Sequence, residues 1–127
     1  MEVQTEVLQT VSEFLNIPIG QLPERGGTVM ELAPSSSPRR FLKGESYEQI
    51  QILILSKNKS QKDSLDKLNY ACNKCRTLQL PSGDKWSITT IEIATAPNYV
   101  ANEKNSDGTL WIYSAMLTVN FYNTEGF

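Results

Sequence analysis

The strongest strand signal in this chain is the run Ile50-Gln51-Ile52-Leu53-Ile54-Leu55. Apolar residues occupy nearly every position of this run, which is typical of a strand that is covered on both faces. A strand of that kind lies inside a sheet and not at its edge. The pattern therefore predicts a central strand from Tyr47 to Leu55, around which the other elements are arranged.

Two amphipathic helices are predicted, one before and one after this strand. In the first, apolar residues recur at spacings of three and four, and it should end near Asn16 because Pro18 disfavours helical geometry in the preceding residue. The second should begin at Ser60, whose hydroxyl can cap a free N–H group, while Asp63 favours the positive helix end. It should run to about residue 78 and pack on the sheet through Leu65, Leu68, Ala71, Cys72 and Cys75.

The remaining strands are predicted over residues 28–33, 86–94 and 111–122. The alternation of apolar residues changes phase at Thr89-Thr90, which indicates a β-bulge. Residues 34–44 and 95–110 are rich in turn residues such as Pro, Ser, Asn and Gly, so we expect two exposed loops. The chain is thus predicted to be one α+β domain over residues 1–127, a mainly antiparallel four-stranded sheet with two packed helices in the order α-β-β-α-β-β.

The composition narrows the possible functions. The chain has 127 residues and no histidine. Lack of His removes Ser-His-Asp and Cys-His catalysis, zinc centres with imidazole ligands and most general-base chemistry near neutral pH. We therefore expect a protein that is not an enzyme and that uses no cofactor and no metal.

The charge and hydropathy indicate where the protein acts. A formal net charge of −2 gives no general attraction to nucleic acid or to anionic lipid. No apolar run approaches the roughly 18 residues that a membrane span needs. The first residues, Met-Glu-Val-Gln-Thr-Glu, are acidic where a secretory signal would be basic. We expect a soluble protein that remains in the cell that makes it.

Charge is distributed in three blocks along the chain. The net charge is −4 over residues 1–38, +5 over residues 39–85 and −3 over residues 86–127. Blocks of opposite sign could help identical copies dock head to tail, although charge on a solvated face explains them as well. Our hypothesis for the interface places it on the two polar loops, at Arg39, Arg40, Phe41, Lys43, Tyr99 and Glu103.

The segment Cys72-Asn73-Lys74-Cys75 has the spacing of a redox or metal motif. A redox pair needs its first thiol near a helix N-terminus, where the helix dipole stabilises the thiolate, but this pair lies toward the C-terminal end of the predicted helix. A zinc site would need two further ligands, which only carboxylates could provide. The segment therefore favours two buried, reduced thiols that act as small apolar side chains.

Two other patterns carry little chemical information. Asn58-Lys59-Ser60 lacks the glycine-rich segment of a phosphate loop. Hydrolysis by paired carboxylates would need acids that converge from neighbouring strands. The sequence does not fix the distances between the candidates Glu31, Glu45, Glu48 and Glu92.

Three segments and the order of the elements carry a resemblance to a known family. They are the approach Ile17-Pro18-Ile19-Gly20-Gln21-Leu22-Pro23, the strand-helix unit over residues 47–78, and the polar segment from residue 96 to 108 that leads into Trp111-Ile112-Tyr113-Ser114-Ala115-Met116-Leu117-Thr118-Val119-Asn120-Phe121. In this layout the chain resembles the tail-terminator or minor capsid proteins of long-tailed bacteriophages, the siphophages of Gram-positive hosts in particular.

The resemblance implies a subunit that forms a ring, usually of six copies, at the head-proximal end of the tail tube. Its partners would be copies of itself, the major tail tube protein and the head-tail connector protein, without membrane or sequence-specific nucleic acid. It would be located in the virion, and in the host cytoplasm during assembly. Two alternatives stay open: a small ferredoxin-like ligand-binding or regulatory module with a compact pocket, and a carboxylate hydrolase.

Overall fold

The computed structural model describes residues 3–23, 26–33, 39–40, 46–76, 83, 86–105 and 108–123. Its elements are α1 (Val3–Leu15), β1 (Gly27–Leu32), β2 (Arg39–Arg40), β3 (Ser46–Asn58), α2 (Gln61–Lys74), β4 (Trp86–Asn105) and β5 (Gly108–Asn123). They form an α+β fold in which two helices pack on an antiparallel sheet, as the sequence predicts.

The sheet has the strand order β1-β3-β5-β4, and every pair is antiparallel. β3 pairs with β1 on one side and along its whole length with β5 on the other, so the prediction of a central strand is confirmed. The short strand β2 pairs with the start of β3, inside the segment predicted to be the first loop. The strands β1 and β4 are therefore the outer edges of the four-stranded path.

Burial on β3 alternates with the strand period of two. Ile50, Ile52 and Ile54 are fully buried, whereas Leu53 and Leu55 are half-buried. The prediction that both faces of this strand are covered holds only in part: both helices contribute to a core on one face, whereas on the other face Leu53 and Leu55 are half-buried and Lys57 is buried. An apolar residue at every position predicts a buried strand but cannot tell which face carries the helices.

The core unites both helices with one face of the sheet. From the helices it takes Val7, Leu8, Val11, Leu15, Leu68, Ala71, Cys72 and Cys75, and from the strands chiefly Met30, Ile50, Ile52, Ile54, Ile88, Ile91, Leu117, Val119 and Phe121. Full burial of such side chains contributes roughly 1.5–3 kcal/mol each in transfer free energy. This burial holds the helices in place.

Local signals end α1 and begin α2. Asn16 has a φ of 56°, the left-handed conformation that often follows a helix and that Asn adopts more easily than most residues. Ser60 caps α2, since its Oγ accepts a hydrogen bond from the N–H of Asp63 at 3.4 Å. α2 ends at Lys74, four residues earlier than predicted.

The apolar stripe of α2 is buried largely as predicted, except that Ser64 is buried in place of Leu65. Leu68, Ala71, Cys72 and Cys75 are buried, but Leu65 is only half-buried and its neighbour Ser64 is buried. The Ser64 Oγ donates to the backbone carbonyl of Trp111 at 2.9 Å, so this hydroxyl is satisfied inside the protein. A polar side chain at this position carries no hydrophobic signal that the sequence pattern could detect.

The largest difference from the sequence prediction is the β4–β5 hairpin. Residues 95–105 and 108–110, predicted to be a loop, continue β4 and begin β5, with Asn105 paired to Gly108. β4 has 20 residues and β5 has 16, and the four extra residues are absorbed by four register shifts in β4. Bulges of this kind and an edge position accommodate turn residues such as Pro97 within a strand.

One of these four shifts lies between Ile88 and Thr90, which confirms the predicted bulge. Polar side chains donate hydrogen bonds to the backbone of β5 where the strand pairing is irregular. Thr89 Oγ1 donates to the carbonyl of Asn120 at 3.0 Å. Asn98 Nδ2 donates to the carbonyl of Ser114 at 3.1 Å. These hydrogen bonds tie β4 to β5 where the regular ladder is interrupted.

Candidate protein interface

Four residues form one row across the helix-covered face of the sheet. The register pairs Thr28 with Ser56, Ser56 with Tyr113, and Tyr113 with Tyr99. The row therefore runs from the edge strand β1 to the edge strand β4, about 14 Å away across three strand spacings. An exposed surface lies at each end of this row.

The surface at the β4 end, called the arm surface below, consists of Tyr99, Val100 and Asn102 with the rings of Trp111 and Tyr113. Tyr99 and Val100 are each 49% exposed. The Tyr99 ring meets Tyr113 edge-on at a centroid distance of 5.7 Å and Trp111 at 6.3 Å. Asn102 Nδ2 donates to the Tyr99 hydroxyl oxygen at 2.8 Å. These contacts hold the Tyr99 ring in place at the surface of the sheet.

Val100 has no partner in the register because it is the extra residue of the bulge between Tyr99 and Ala101. A bulged residue is displaced from the regular ladder and its side chain is re-aimed. Val100 is exposed, like its neighbours Asn98 and Tyr99 on this edge strand.

An ion pair fixes the outer part of β4 to the centre of the sheet. Lys57 Nζ on β3 lies 2.5 Å from Glu103 Oε2 on β4, and the pair spans the intervening strand β5. The Lys57 side chain is 5% exposed and that of Glu103 is 53% exposed. The buried ammonium needs a partner, whereas the carboxylate remains in contact with water. Glu103 therefore has a structural role within the fold of this chain.

The surface at the β1 end is a groove of about 520 Å³. It is lined by residues 15–18 after α1, by Thr28 on β1, and by Asp66, Lys67 and Tyr70 on α2. Tyr70 is 61% exposed, although it lies beside the buried Leu15. The lining is mainly apolar with one charge of each sign, which suits a partner side chain with an apolar body.

The two cysteine thiols are buried and free, as the sequence indicates. Burial raises the pKa of Cys72, and a nearby Arg76 opposes that shift. Burial, followed by the neighbouring Cys72 thiol, raises the pKa of Cys75 to about 12. Thiols that stay protonated near neutral pH are poor nucleophiles and poor metal ligands, so this pair has the properties of packing residues.

The residues proposed for the interface fall in different places. Arg39 and Arg40 form β2, while Phe41 and Lys43 lie outside the described residues. Tyr99 and Glu103 lie on β4, Tyr99 exposed and Glu103 paired with Lys57. The sequence reasoning missed Val100 and the groove, because neither a bulge at this position nor a concave surface has a sequence signature.

The acids considered for a hydrolase do not converge in the part of the chain that the structure describes. Glu31 lies on β1 and Glu92 on β4, the two opposite edges of the sheet. Glu48 lies on the central strand β3, and Glu45 is outside the described residues. Glu31 and Glu92 thus cannot form the close carboxylate pair that glycoside hydrolysis uses.

No protein-family model matches this chain, and no curated protein matches it. Within the described ranges, no helix is long and apolar enough to cross a membrane. The same residues contain no group of three or more His, Cys, Asp or Glu side chains placed to hold a metal ion.

Proposed function

We propose that this chain is a structural virion subunit that forms a closed ring, usually of six copies, at the head-proximal end of a phage tail tube. There it ends tube growth and joins the tube to the head connector. The tail-tube role comes from the resemblance of the whole layout to tail-terminator proteins. The ring is supported by the placement of exposed surfaces on the fold.

The observation that carries the proposal is the position of the exposed large apolar side chains. Among the described residues, Ile19, Leu32 and Tyr70 lie on the β1 side, and Tyr99 and Val100 lie on the β4 side. A subunit with two unlike surfaces on opposite sides can contact two neighbours head to tail, and such heterologous contacts build rings when the rotation closes. A two-fold dimer would need one self-complementary patch instead.

The two surfaces lie at the same height along the strands. Thr28 in the groove and Tyr99 on the arm surface belong to the same row across the sheet. This placement is compatible with a closed ring, and closure itself depends on the rotation between neighbours. A subunit that ends a polymer needs a contact that closes.

Particles assembled without this chain test the proposed function. We expect tail tubes of uncontrolled length that do not join heads, because the closed ring that ends growth is missing. The measurement is tube length and head attachment by electron microscopy, with the wild-type chain supplied in trans as the control. Tails of normal length attached to heads in the absence of the chain would refute the assignment.

The groove supports a second candidate, a small ligand-binding module. Its volume of about 520 Å³ lies in the range of ligand sites, roughly 300–1,000 Å³. A module of this class would bind a small molecule as a monomer or dimer. Chemical-shift changes at groove residues on addition of a fragment library, together with a monomeric mass at high concentration, would favour it over the ring.

A further inference from the structure

We propose that Cys72 and Cys75 form a reversible disulfide bond with each other when the last turn of α2 opens in the presence of a low-molecular-weight disulfide such as oxidised glutathione. In the closed fold both thiols are buried and free, so they act as packing residues until that turn opens. The proposed function makes no use of this pair.

The position of the two cysteines in α2 brings their side chains together. Cys72 lies in the last turn of the helix, and Cys75 is its C-terminal cap with helical backbone angles, φ −66° and ψ −13°. Residues three apart in a helix share a face, with Cα atoms about 5 Å apart, inside the roughly 4.4–6.8 Å that disulfides span. The Arg76 N–H donates to the carbonyl of Asn73 at 3.1 Å. A hydrogen bond over three residues tightens the helix end and turns such side chains toward each other.

The surroundings of the two thiols make Cys72 the first to react. Burial raises the pKa of both thiols. Arg76 opposes this rise in the pKa of Cys72, whereas the Cys72 thiol adds to the rise in the pKa of Cys75. When the turn opens, the effect of burial is removed and Arg76 still favours the thiolate of Cys72. Cys72 is then the better nucleophile of the pair.

Two exchange steps form the bond. The Cys72 thiolate attacks one sulfur of the oxidant, so that half of the oxidant is joined to Cys72 and the other half leaves as a thiolate. This adduct is too large for a site in which Cys72 is 4% exposed, so the turn stays open and Cys75 stays in water. The Cys75 thiolate then attacks the Cys72 sulfur and releases the second half. The two cysteine protons pass to the two released thiolates, so two thiols are oxidised and one disulfide is reduced.

The bond fixes the last turn of α2 covalently under oxidising conditions. In a reducing compartment the pair stays a dithiol, and the turn is held only by packing and by its hydrogen bonds. Among these, the N–H groups of Cys75 and Arg76 donate to the carbonyls of Ala71 and Asn73. Exchange of these two amide protons therefore reports how often the turn opens.

Intact-mass spectrometry of the purified chain in oxidised glutathione tests the bond. The wild-type chain should lose the mass of two hydrogen atoms, remain monomeric without reductant, and regain that mass in dithiothreitol. Cys75→Ala keeps the attacking thiol and should accumulate one glutathione adduct. Its matched control, Cys72→Ala, should react at least about 3-fold more slowly. Urea unfolding verifies that both variants are folded.

Three results for the wild-type chain would each overturn the disulfide: two glutathione adducts on one chain, dimers linked by a disulfide, or thiols that stay reduced while the urea-unfolded chain is oxidised. None of them depends on the variants. Equal rates in the two single variants would overturn the assignment of Cys72 as the attacking thiol.

The oxidation rate in low concentrations of urea tests the route. Opening of one helical turn exposes little surface, so the logarithm of the rate should rise with a slope well below that of global unfolding. A slope equal to the global one would mean that the bond forms only in the unfolded chain, which would overturn the route through the last turn.

Amide hydrogen exchange tests the effect of the bond. The amides of Cys75 and Arg76 should exchange more slowly in the disulfide form than in the dithiol form. The matched control is the amide of Ser64 in the first turn, which donates to the carbonyl of Ser60 and should not change. Equal or faster exchange at Cys75 and Arg76 in the disulfide form would overturn the covalent restraint of the last turn.

Discussion

Removal of Glu103 should destabilise the protein more than removal of its partner Lys57. The ammonium of Lys57 is buried, with 5% of its side chain exposed, whereas 53% of the Glu103 side chain is exposed. Glu103→Ala leaves a buried charge without a partner, and we expect a loss of about 1–3 kcal/mol. The value lies below the 3–5 kcal/mol typical of a fully buried pair because water reaches the carboxylate.

Lys57→Met, in contrast, should change the stability of the protein little. It replaces the buried ammonium by an apolar chain of similar length and leaves an acid that water solvates. We expect a free energy of unfolding within about 1 kcal/mol of the wild type, or above it. In the double variant Lys57→Met/Glu103→Ala the buried charge is gone, so the loss of stability caused by Glu103→Ala should largely vanish. The coupling energy of the cycle then measures the pair.

Urea unfolding at neutral pH measures these differences, provided that the slope m is the same in all variants. The matched control is Glu92→Ala, an exposed acid on the same strand that makes no ion pair among the described residues. It should change stability by no more than about 0.5 kcal/mol. If Lys57→Met proved as costly as Glu103→Ala, the reasoning from burial would be refuted.

Two predictions concern the packing of α2. Leu68→Ala should lower the free energy of unfolding in urea by about 2–5 kcal/mol, because Leu68 is fully buried. Leu65→Ala, at a half-buried position, should cost clearly less. Equal losses would mean that α2 faces the sheet differently. Cys75→Ala should cost about 1–3 kcal/mol near pH 7. The folded pKa of Cys75, about 12, lies above its ordinary value of 9.0, so the stabilisation by this thiol is complete below pH 9 and is lost as the pH rises toward 12. The difference between wild type and Cys75→Ala should therefore shrink in unfolding curves at about pH 10.5, and a constant difference would contradict the buried thiol.

Much of the fold could be predicted from local patterns in the sequence. The apolar run from Ile50 to Leu55 indicated the central strand, and Ser60 with Asp63 indicated where α2 begins. The phase change at Thr89 indicated the bulge that the register contains. These features depend on residues close together in the chain, so their spacing carries the physical information.

Residues 95–105 could not be predicted in this way. Their turn-forming composition indicates a loop, but pairing with β5 supplies the backbone hydrogen bonds that make them a strand, and bulges absorb Pro97. Strand formation depends on the partner strand and its neighbours more than on intrinsic preference. Composition alone therefore gave the wrong element here.

The candidate interface was decided almost entirely by the tertiary structure. The sequence reasoning assigned both Tyr99 and Glu103 to the interface. Only the tertiary structure shows that Glu103 forms an ion pair with Lys57 and that Tyr99 stays exposed. Only the register places Thr28 and Tyr99 in one row at opposite edges. The sequence by itself determined the helices, the central strand and the bulge, because these arise from short-range spacing. The arm surface and the groove arise from strand order and helix packing, which join residues far apart in the chain.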